Sequence, residues 1–179
     1  MGVMFIDIDM LAPDGVRFDE SLRLPPLPLE GADSITVLGA RLRGSARPGT
    51  RGAEFRARLE ARLGLDCSRC LEAFETSLES DFELILVPDA VEFGLDETRM
   101  DERDSLLFYA EGGRAELEAI AREQIYLNLP LKPICGADCQ GLCPTCGANR
   151  NRLQCGCRSE QVDPRLAPLL DIKKKLGES

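Results

Sequence analysis

Hydrophobic and polar residues alternate strictly along residues 53–67 of the chain. Apolar residues occupy every odd position from Ala53 to Cys67, and Glu, Arg, Gly or Asp occupies each position between them. A period of two places all the apolar side chains on one face of a β-strand, whereas a helix would scatter them around its circumference. The pattern therefore predicts a long strand with one buried face and one hydrated face.

The alternation resumes after the segment CSRCLEA and continues to Pro88. The apolar residues in phase are Phe74, Leu78, Phe82, Leu84 and Leu86. The two runs predict an antiparallel hairpin with Cys67–Cys70 at its tip. Residues 34–44 predict a third strand, and the segments MFIDIDM and GVRFDESLRL predict two shorter ones. The segment LRLPPLPLEGAD is expected to form a loop or a sheet edge, because proline cannot donate to a strand ladder.

Helical spacing is clear in one region, residues 114–128, which follow the turn at Gly112-Gly113. The apolar residues that recur there are Leu117, Ile120, Ala121 and Ile125. We expect this helix to end before Pro130, since a residue that precedes proline avoids the helical region.

Two further segments are read from composition and capping residues. Residues 89–104 are acidic and lack an apolar period, which predicts a loop. Asp163-Pro164 is typical of a cap followed by a first-turn proline, and it predicts a short helix in residues 161–179.

These elements predict an α+β protein with an antiparallel, mainly-β body, one long helix and a C-terminal cysteine-rich zinc-knuckle module. We expect the body to span residues 1–129, the metal-binding module residues 130–160 and the short C-terminal helix or tail residues 161–179.

Composition narrows the function classes. The chain has 179 residues, 44% of them hydrophobic and 30% charged, and it contains no histidine. The absence of an imidazole excludes Ser/His/Asp relays and leaves thiolates as the main ligands for zinc. No apolar run approaches the roughly 20 residues of a membrane span, and the N-terminus lacks the pattern of a secretory signal. We expect a cytoplasmic protein with no membrane association, no enzymatic activity and no small-molecule substrate.

Charge is unevenly distributed around a net value of −9. Residues 41–69 contain eight Lys or Arg and three Asp or Glu, whereas residues 70–128 contain four and 16. The basic stretch is suited to phosphate contacts, and its usual alternative role is a solvated strand face. An aromatic content of 5% without tryptophan gives no evident platform for base stacking. The candidate nucleic-acid contacts are Arg56, Arg58, Arg62, Arg150 and Arg152.

Six of the eight cysteines lie within residues 135–157. In a reducing compartment, closely spaced cysteine pairs are more often metal ligands than disulfides. Cys143 and Cys146 have knuckle spacing and are followed by Gly147, and Cys67 and Cys70 repeat that spacing at the hairpin tip. Two four-thiolate zinc sites are therefore our hypothesis. One comprises Cys143, Cys146, Cys155 and Cys157, and the other comprises Cys67, Cys70, Cys135 and Cys139.

Several alternatives to this hypothesis stay open. A single zinc site within residues 135–157 would leave Cys67 as a small core residue, since it is in phase with the buried stripe. Disulfides, a thiol redox sensor and inert cysteines are also compatible with the sequence. Sulfur ligands alone do not choose between zinc and a rubredoxin-like iron centre, and we prefer zinc.

A set of motifs resembles successive blocks of the YceD family from about residue 53 onward. They are CSRCLEAFE, REQIYLNLPLKPIC, DCQGLCPTCGANRN, CGC and VDPRLAPL. The pattern residues implied by the resemblance are Cys67, Arg69, Cys70, Leu71, Cys139, Gly141, Leu142, Cys143, Cys146, Gly147, Asn149, Asn151, Cys155 and Cys157. Arg150 departs from the family pattern, which usually has leucine there.

The resemblance implies a process rather than a reaction. Members of this family occur in bacteria, with plastid relatives, and are known as large ribosomal RNA subunit accumulation proteins. It implies a non-enzymatic role in accumulation or processing of 23S rRNA, with 23S rRNA or a large-subunit ribosomal protein as partner. Two other classes remain: an adaptor that binds a basic ribosomal protein through the acidic region, and a rubredoxin-like electron carrier or thiol sensor.

Overall fold

The structure is a computed structural model. A long antiparallel hairpin forms the middle of its main sheet. The structure describes residues 5–29, 34–88 and 106–157, together with the single positions 169 and 172. The strands are β1 (Phe5–Asp7), β2 (Val16–Leu22), β3 (Leu27–Pro28), β4 (Ser34–Gly49), β5 (Gly52–Asp66), β6 (Ala73–Pro88), β7 (Leu107–Ala110) and β8 (Arg114–Glu116). The helix α1 spans Leu117–Asn128.

The main sheet has the strand order β2-β4-β5-β6-β7, and β3 pairs with β4 at its edge. The pairs β2–β4, β4–β5 and β5–β6 are antiparallel, as the sequence predicts, whereas β6–β7 is parallel. The two predicted N-terminal strands belong to different sheets. Strand β2 joins the main sheet, and β1 pairs with β8 in a separate two-stranded sheet. Within residues 5–29, 34–88 and 106–157 the fold is thus mostly sheet with one α-helix.

The alternating pattern of β5 translates directly into burial. Odd positions from Ala53 to Leu65 are buried, and the even positions between them are exposed or half-buried. Phe55 is fully buried, and its ring stacks on Phe18 at 5.2 Å between centroids and contacts Phe82 at 6.0 Å. The predicted apolar face of α1 is buried in the same core. It consists of Leu117, Ile120, Ala121 and Ile125.

Two element boundaries differ from the sequence-based expectation. The helix begins at Leu117 rather than at residue 114, because Arg114–Glu116 pair with Phe5–Asp7 as a strand. Strand β4 continues to Gly49 instead of ending at residue 44, since residues 45–49 complete the tight hairpin with β5. The predicted end of the helix is confirmed, because Leu129 is extended immediately before Pro130.

The chain divides into two compact units. The first comprises Met1–Cys67 and Glu72–Cys135, and the second comprises Ser68–Leu71 and Gly136–Ser179. The hydrophobic core cluster lies entirely within the first unit. In the second unit, residues 136–157 contain turns and one isolated β-bridge, between Leu142 and Asn149.

Two predictions fall outside the described residues. The expected acidic loop at residues 89–104 is one of them. The expected C-terminal helix in residues 161–179 is the other, apart from Leu169 and Ile172, which are helical. In the part of the chain that the structure describes, no helix is long and apolar enough to cross a membrane.

Candidate metal centres

The connection between β5 and β6 carries the first cysteine pair. The backbone N–H of Cys67 donates to the carbonyl oxygen of Glu72 at 2.9 Å, which closes the turn. Leu71 adopts the left-handed conformation, with φ of 60°, although it is not glycine. Both sulfur-bearing side chains are buried: Cys67 is 0% exposed and Cys70 is 4% exposed.

Cys135 lies against the first of these thiols. Its backbone N–H donates to Sγ of Cys67 at 3.4 Å. An amide donor of this kind stabilises the negative charge of a thiolate, which is the form that binds a metal. The burial of Cys67 by itself agrees with the simpler interpretation as a core residue, but a backbone donor aimed at its sulfur adds a feature typical of metal knuckles.

Arg69 holds the segment that carries Cys139. Its guanidinium Nη1 donates to the carbonyl oxygen of Cys139 at 3.1 Å, and its own carbonyl accepts from the N–H of Leu142 at 2.9 Å. Gly141 has φ of 70°, and a Cβ there would lie 3.0 Å from the carbonyl oxygen of Arg69. Only glycine combines that conformation with so close an approach at low cost.

The second knuckle is formed by Cys143–Gly147. The N–H of Gly147 donates to the carbonyl of Cys143 at 2.8 Å, and the N–H of Cys143 donates to the carbonyl of Ala148 at 2.8 Å. These bonds fold the turn so that the backbone N–H groups of Cys146 and Thr145 point at the Cys143 sulfur. They lower the pKa of Cys143 to about 6.

Cys155 and Cys157, the other two thiols near this knuckle, have raised pKa values. A hydrogen bond with the Cys143 sulfur raises the pKa of Cys155, and a hydrogen bond with the Cys146 sulfur raises the pKa of Cys157 to about 12. Sulfurs that share protons in this way are close enough to bind one metal ion once those protons leave.

The eight cysteines gather into two groups of four, and within each group the sulfur atoms all lie within 4.8 Å of one another. The groups are those that the spacing predicts: Cys67, Cys70, Cys135 and Cys139 in one, and Cys143, Cys146, Cys155 and Cys157 in the other. Two groups of four thiols at this separation could hold metal ions, and a tetrahedral four-thiolate site suits zinc or iron. Metal ligation by these residues stays a prediction.

Asparagine side chains contribute contacts that the sequence alone did not assign. The Nδ2 group of Asn151 donates to Sγ of Cys139 at 3.4 Å, and its Oδ1 accepts from the N–H of Gln140 at 2.8 Å. The Oδ1 of Asn149 accepts from the N–H of Asn151 at 3.0 Å. Their short spacing inside a cysteine loop was the available signal, because asparagine commonly satisfies backbone groups in turns.

The candidate arginines on β5 have different surroundings. Arg58 forms ion pairs with three carboxylates: Glu60 at 3.3 Å, Asp81 at 3.0 Å, and Glu79. Arg56 pairs with Glu83 at 3.2 Å. Arg62 faces Gly39 and Ser77 across the sheet, and it has no carboxylate partner within the described segments.

Arg150 and Arg152 belong to the second unit and are exposed. Their backbone N–H groups bond within the turn, that of Arg150 to Gly141 at 2.9 Å and that of Arg152 to Asn149 at 3.1 Å. Among the described residues, no carboxylate forms an ion pair with Arg150. Contact of these five arginines with nucleic acid stays a prediction.

Comparison with known proteins gives a family match over most of the chain. A family profile described as "Large ribosomal RNA subunit accumulation protein YceD" matches residues 55–173. That range includes all eight cysteines. No solved structure matches the chain.

Curated relatives occur in plants and bacteria. A chloroplastic large ribosomal RNA subunit accumulation protein YCED homolog 1 of Arabidopsis thaliana is 28% identical over 65% of this chain and 43% of its own. An uncharacterized protein of Mycobacterium tuberculosis is 35% identical over 60% of this chain and 49% of its own. The chain thus spans about half the length of these relatives. An uncharacterized protein of Bacillus subtilis is 26% identical over 91% of both chains.

Metal uptake by the second group should strengthen as pH rises. At neutral pH the raised pKa values keep Cys155 and Cys157 protonated, whereas Cys143, with a pKa of about 6, is mainly thiolate. A four-thiolate site must displace at least those two protons, and each released proton changes the affinity by about tenfold per pH unit. We expect affinity for zinc to rise by at least about a hundredfold between pH 7 and pH 8.

The measurement is competition against a chelator in a Cys67→Ser/Cys70→Ser variant, which isolates the second group. The matched control adds Cys143→Ser and Cys146→Ser to that variant, because it then lacks both groups and should lose the response. Affinity that does not change with pH would contradict the assignment of these four sulfurs to one site.

Proposed function

Because the chain belongs to the YceD family, we propose that it acts as a non-enzymatic ribosome-biogenesis factor that supports accumulation of 23S rRNA in the large subunit. The observation that carries the proposal is the family match over residues 55–173, which contains both cysteine groups and all of the long hairpin except residues 52–54. The family description links its members to accumulation of the large ribosomal RNA subunit. The cysteine groups and the exposed arginines indicate how the chain would act in that process.

Two structural zinc ions form part of the proposal. Among the described residues of the second unit, the buried apolar side chains are Cys70, Cys139 and Cys143, and no other apolar side chain is buried there. Residues 68–71 and 136–157, which form no apolar core with one another, need another source of stability, and zinc bound by four thiolates supplies roughly 10–16 kcal/mol in small peptides. Four thiolates also leave no open position for water, which favours a structural role over a catalytic one.

Ion pairs on the sheet face favour some of the candidate arginines over others as RNA contacts. The outward positions of β6 are acidic at Glu75, Glu79, Asp81 and Glu83, and the last three lie in ion pairs with Arg58 or Arg56. Exposed pairs of this kind are individually weak, yet a phosphate that approaches Arg58 would have to displace three carboxylates. Arg62 and Arg150 meet no such competition among the described residues, so we propose them as phosphate contacts.

A second candidate is an adaptor that binds a basic ribosomal protein through the acidic positions of β6. Glu75 favours it, because this exposed carboxylate faces Gly64 rather than an arginine across the sheet. The ion pairs of Arg58 also neutralise its three carboxylate partners, so these carboxylates are equally poor contacts for a basic protein. For that reason 23S rRNA is our preferred partner.

Depletion of the protein in the organism that encodes it tests the function itself. We expect free large subunits and complete ribosomes to decrease while small subunits accumulate, and we expect the wild-type chain to restore the profile. The Cys143→Ser/Cys146→Ser variant should fail to restore it. A normal large-subunit profile in depleted cells, measured by sucrose-gradient sedimentation, would refute the proposal.

Binding to 23S rRNA fragments at several salt concentrations separates the two candidates. Arg62→Glu and Arg150→Glu, tested one at a time, should each weaken binding and reduce the slope of log K against log salt by about one, which is the effect of losing one phosphate contact.

The matched controls for this experiment are Arg62→Lys and Arg150→Lys, which keep the positive charge and should retain most of the binding. A Glu75→Lys variant should bind RNA at least as well as the wild-type chain. If Glu75→Lys instead abolishes capture of a basic ribosomal protein while both arginine reversals are silent, the adaptor is correct.

A further inference from the structure

The side chain of Asn151 is held on both of its polar atoms. Its Nδ2 group donates to Sγ of Cys139 at 3.4 Å, and its Oδ1 accepts the backbone N–H of Gln140 at 2.8 Å. The second bond fixes the orientation of the amide, because only an oxygen can accept from that N–H group. The NH₂ group is therefore directed at the cysteine sulfur.

The backbone next to Asn151 is hydrogen-bonded to the segment that follows Cys139. The N–H of Arg150 donates to the carbonyl of Gly141 at 2.9 Å, and Asn149 forms a β-bridge with Leu142. Residues 149–151 thus lie along residues 140–142, immediately after Cys139. These contacts all lie within the second unit.

The position of Asn151 in the chain links the two cysteine groups. Residues 147–154 connect Cys146 to Cys155, which both belong to the second group, whereas Cys139 belongs to the first. A metal ion in the second group would tie the two ends of this loop together. The loop has little apolar anchorage of its own, since Leu153 is 65% exposed.

We infer that Asn151 is a positioning residue that couples the two metal sites, so that a metal ion in the second group raises the affinity of the first group for its own ion. The inference rests on the proposed function, which includes both ions. Metal in the second group orders residues 147–154 and thereby brings the amide of Asn151 to the Cys139 thiolate. The hydrogen bond then stabilises the ligand in its charged form.

Coupling of this kind is reciprocal. If an ion in the second group strengthens binding at the first by a given factor, then an ion in the first group strengthens binding at the second by the same factor. Loss of a hydrogen bond to a metal ligand typically lowers metal affinity by about 10- to 100-fold. We expect about a tenfold effect, because a neutral amide donor to sulfur is one of the weaker such contacts.

The experiment is a stepwise titration of the reduced, metal-free full chain with Co²⁺ and, separately, with Cd²⁺. Chelator competition gives the affinity of the first group, and cadmium NMR gives a separate resonance for each site. The variants are Asn151→Ala, Cys143→Ser/Cys146→Ser and the combination of all three changes. Gln140→Ala is the matched control, because Gln140 contributes only its backbone N–H to the contact.

Three results are expected. Asn151→Ala and Cys143→Ser/Cys146→Ser should each lower the affinity of the first group about tenfold, and the combined variant should lose no more than either alone. In Asn151→Ala the cadmium resonance of the first site should shift while that of the second stays in place. Gln140→Ala should behave as the wild-type chain does. A merely structural role for Asn151 would leave the resonance of the first site unmoved.

Two results would overturn the inference. If the wild-type chain binds two ions and Asn151→Ala leaves the affinity of the first group unchanged, the coupling is absent although the proposed metal sites stand. If the wild-type chain binds fewer than two ions, the proposed pair of sites is wrong and the inference fails with it. Asn151→Ser, which keeps a short polar side chain, serves as a second variant if Asn151→Ala does not fold.

Discussion

The described residues of the second unit, 68–71 and 136–157, have no apolar core among them. Within residues 68–71 and 136–157 the buried apolar side chains are all cysteines, so burial of hydrocarbon cannot offset the entropy of ordering these turns. The available substitute is the concentration of thiols into two groups of four. Backbone and side-chain amides aimed at the sulfurs of Cys67, Cys139 and Cys143 stabilise the charged form that a metal requires.

The first unit is stabilised by an apolar core. Its hairpin buries alternate residues of β5 against the aromatic cluster around Phe55 and against α1, and it leaves a hydrated face that is rich in charge. That face neutralises itself to a large extent, because cross-strand register places Arg56 beside Glu83 and Arg58 beside Asp81. A basic strand is thus a poor guide to an RNA contact when an acidic strand is its neighbour. Arg62 and Arg150, which have no carboxylate partner among the described residues, are each a proposed phosphate contact.

Much of this could be predicted from the sequence, because the decisive patterns are local. The alternation of β5 and β6 predicted the hairpin, and cysteine spacing led to the hypothesis of two groups of four, with a single site as an open alternative. The parts that escaped prediction depend on contacts between distant segments. Arg114–Glu116 became a strand because Phe5–Asp7 pair with it, and Asn151 reached Cys139 because two separate turns lie side by side. The pairing of Arg58 with Asp81 follows from the hairpin register, which the alternation alone did not specify.

Hydrogen exchange with and without metal tests most directly whether the thiol groups fold the second unit. In the reduced, zinc-loaded chain, the amides of residues 139–151 that bond within the turns should be protected, along with those of β4, β5 and β6. After removal of metal by a chelator, we expect protection to disappear from residues 139–151 and to persist in the three strands. Unchanged protection of residues 139–151 in the metal-free reduced chain would contradict the account.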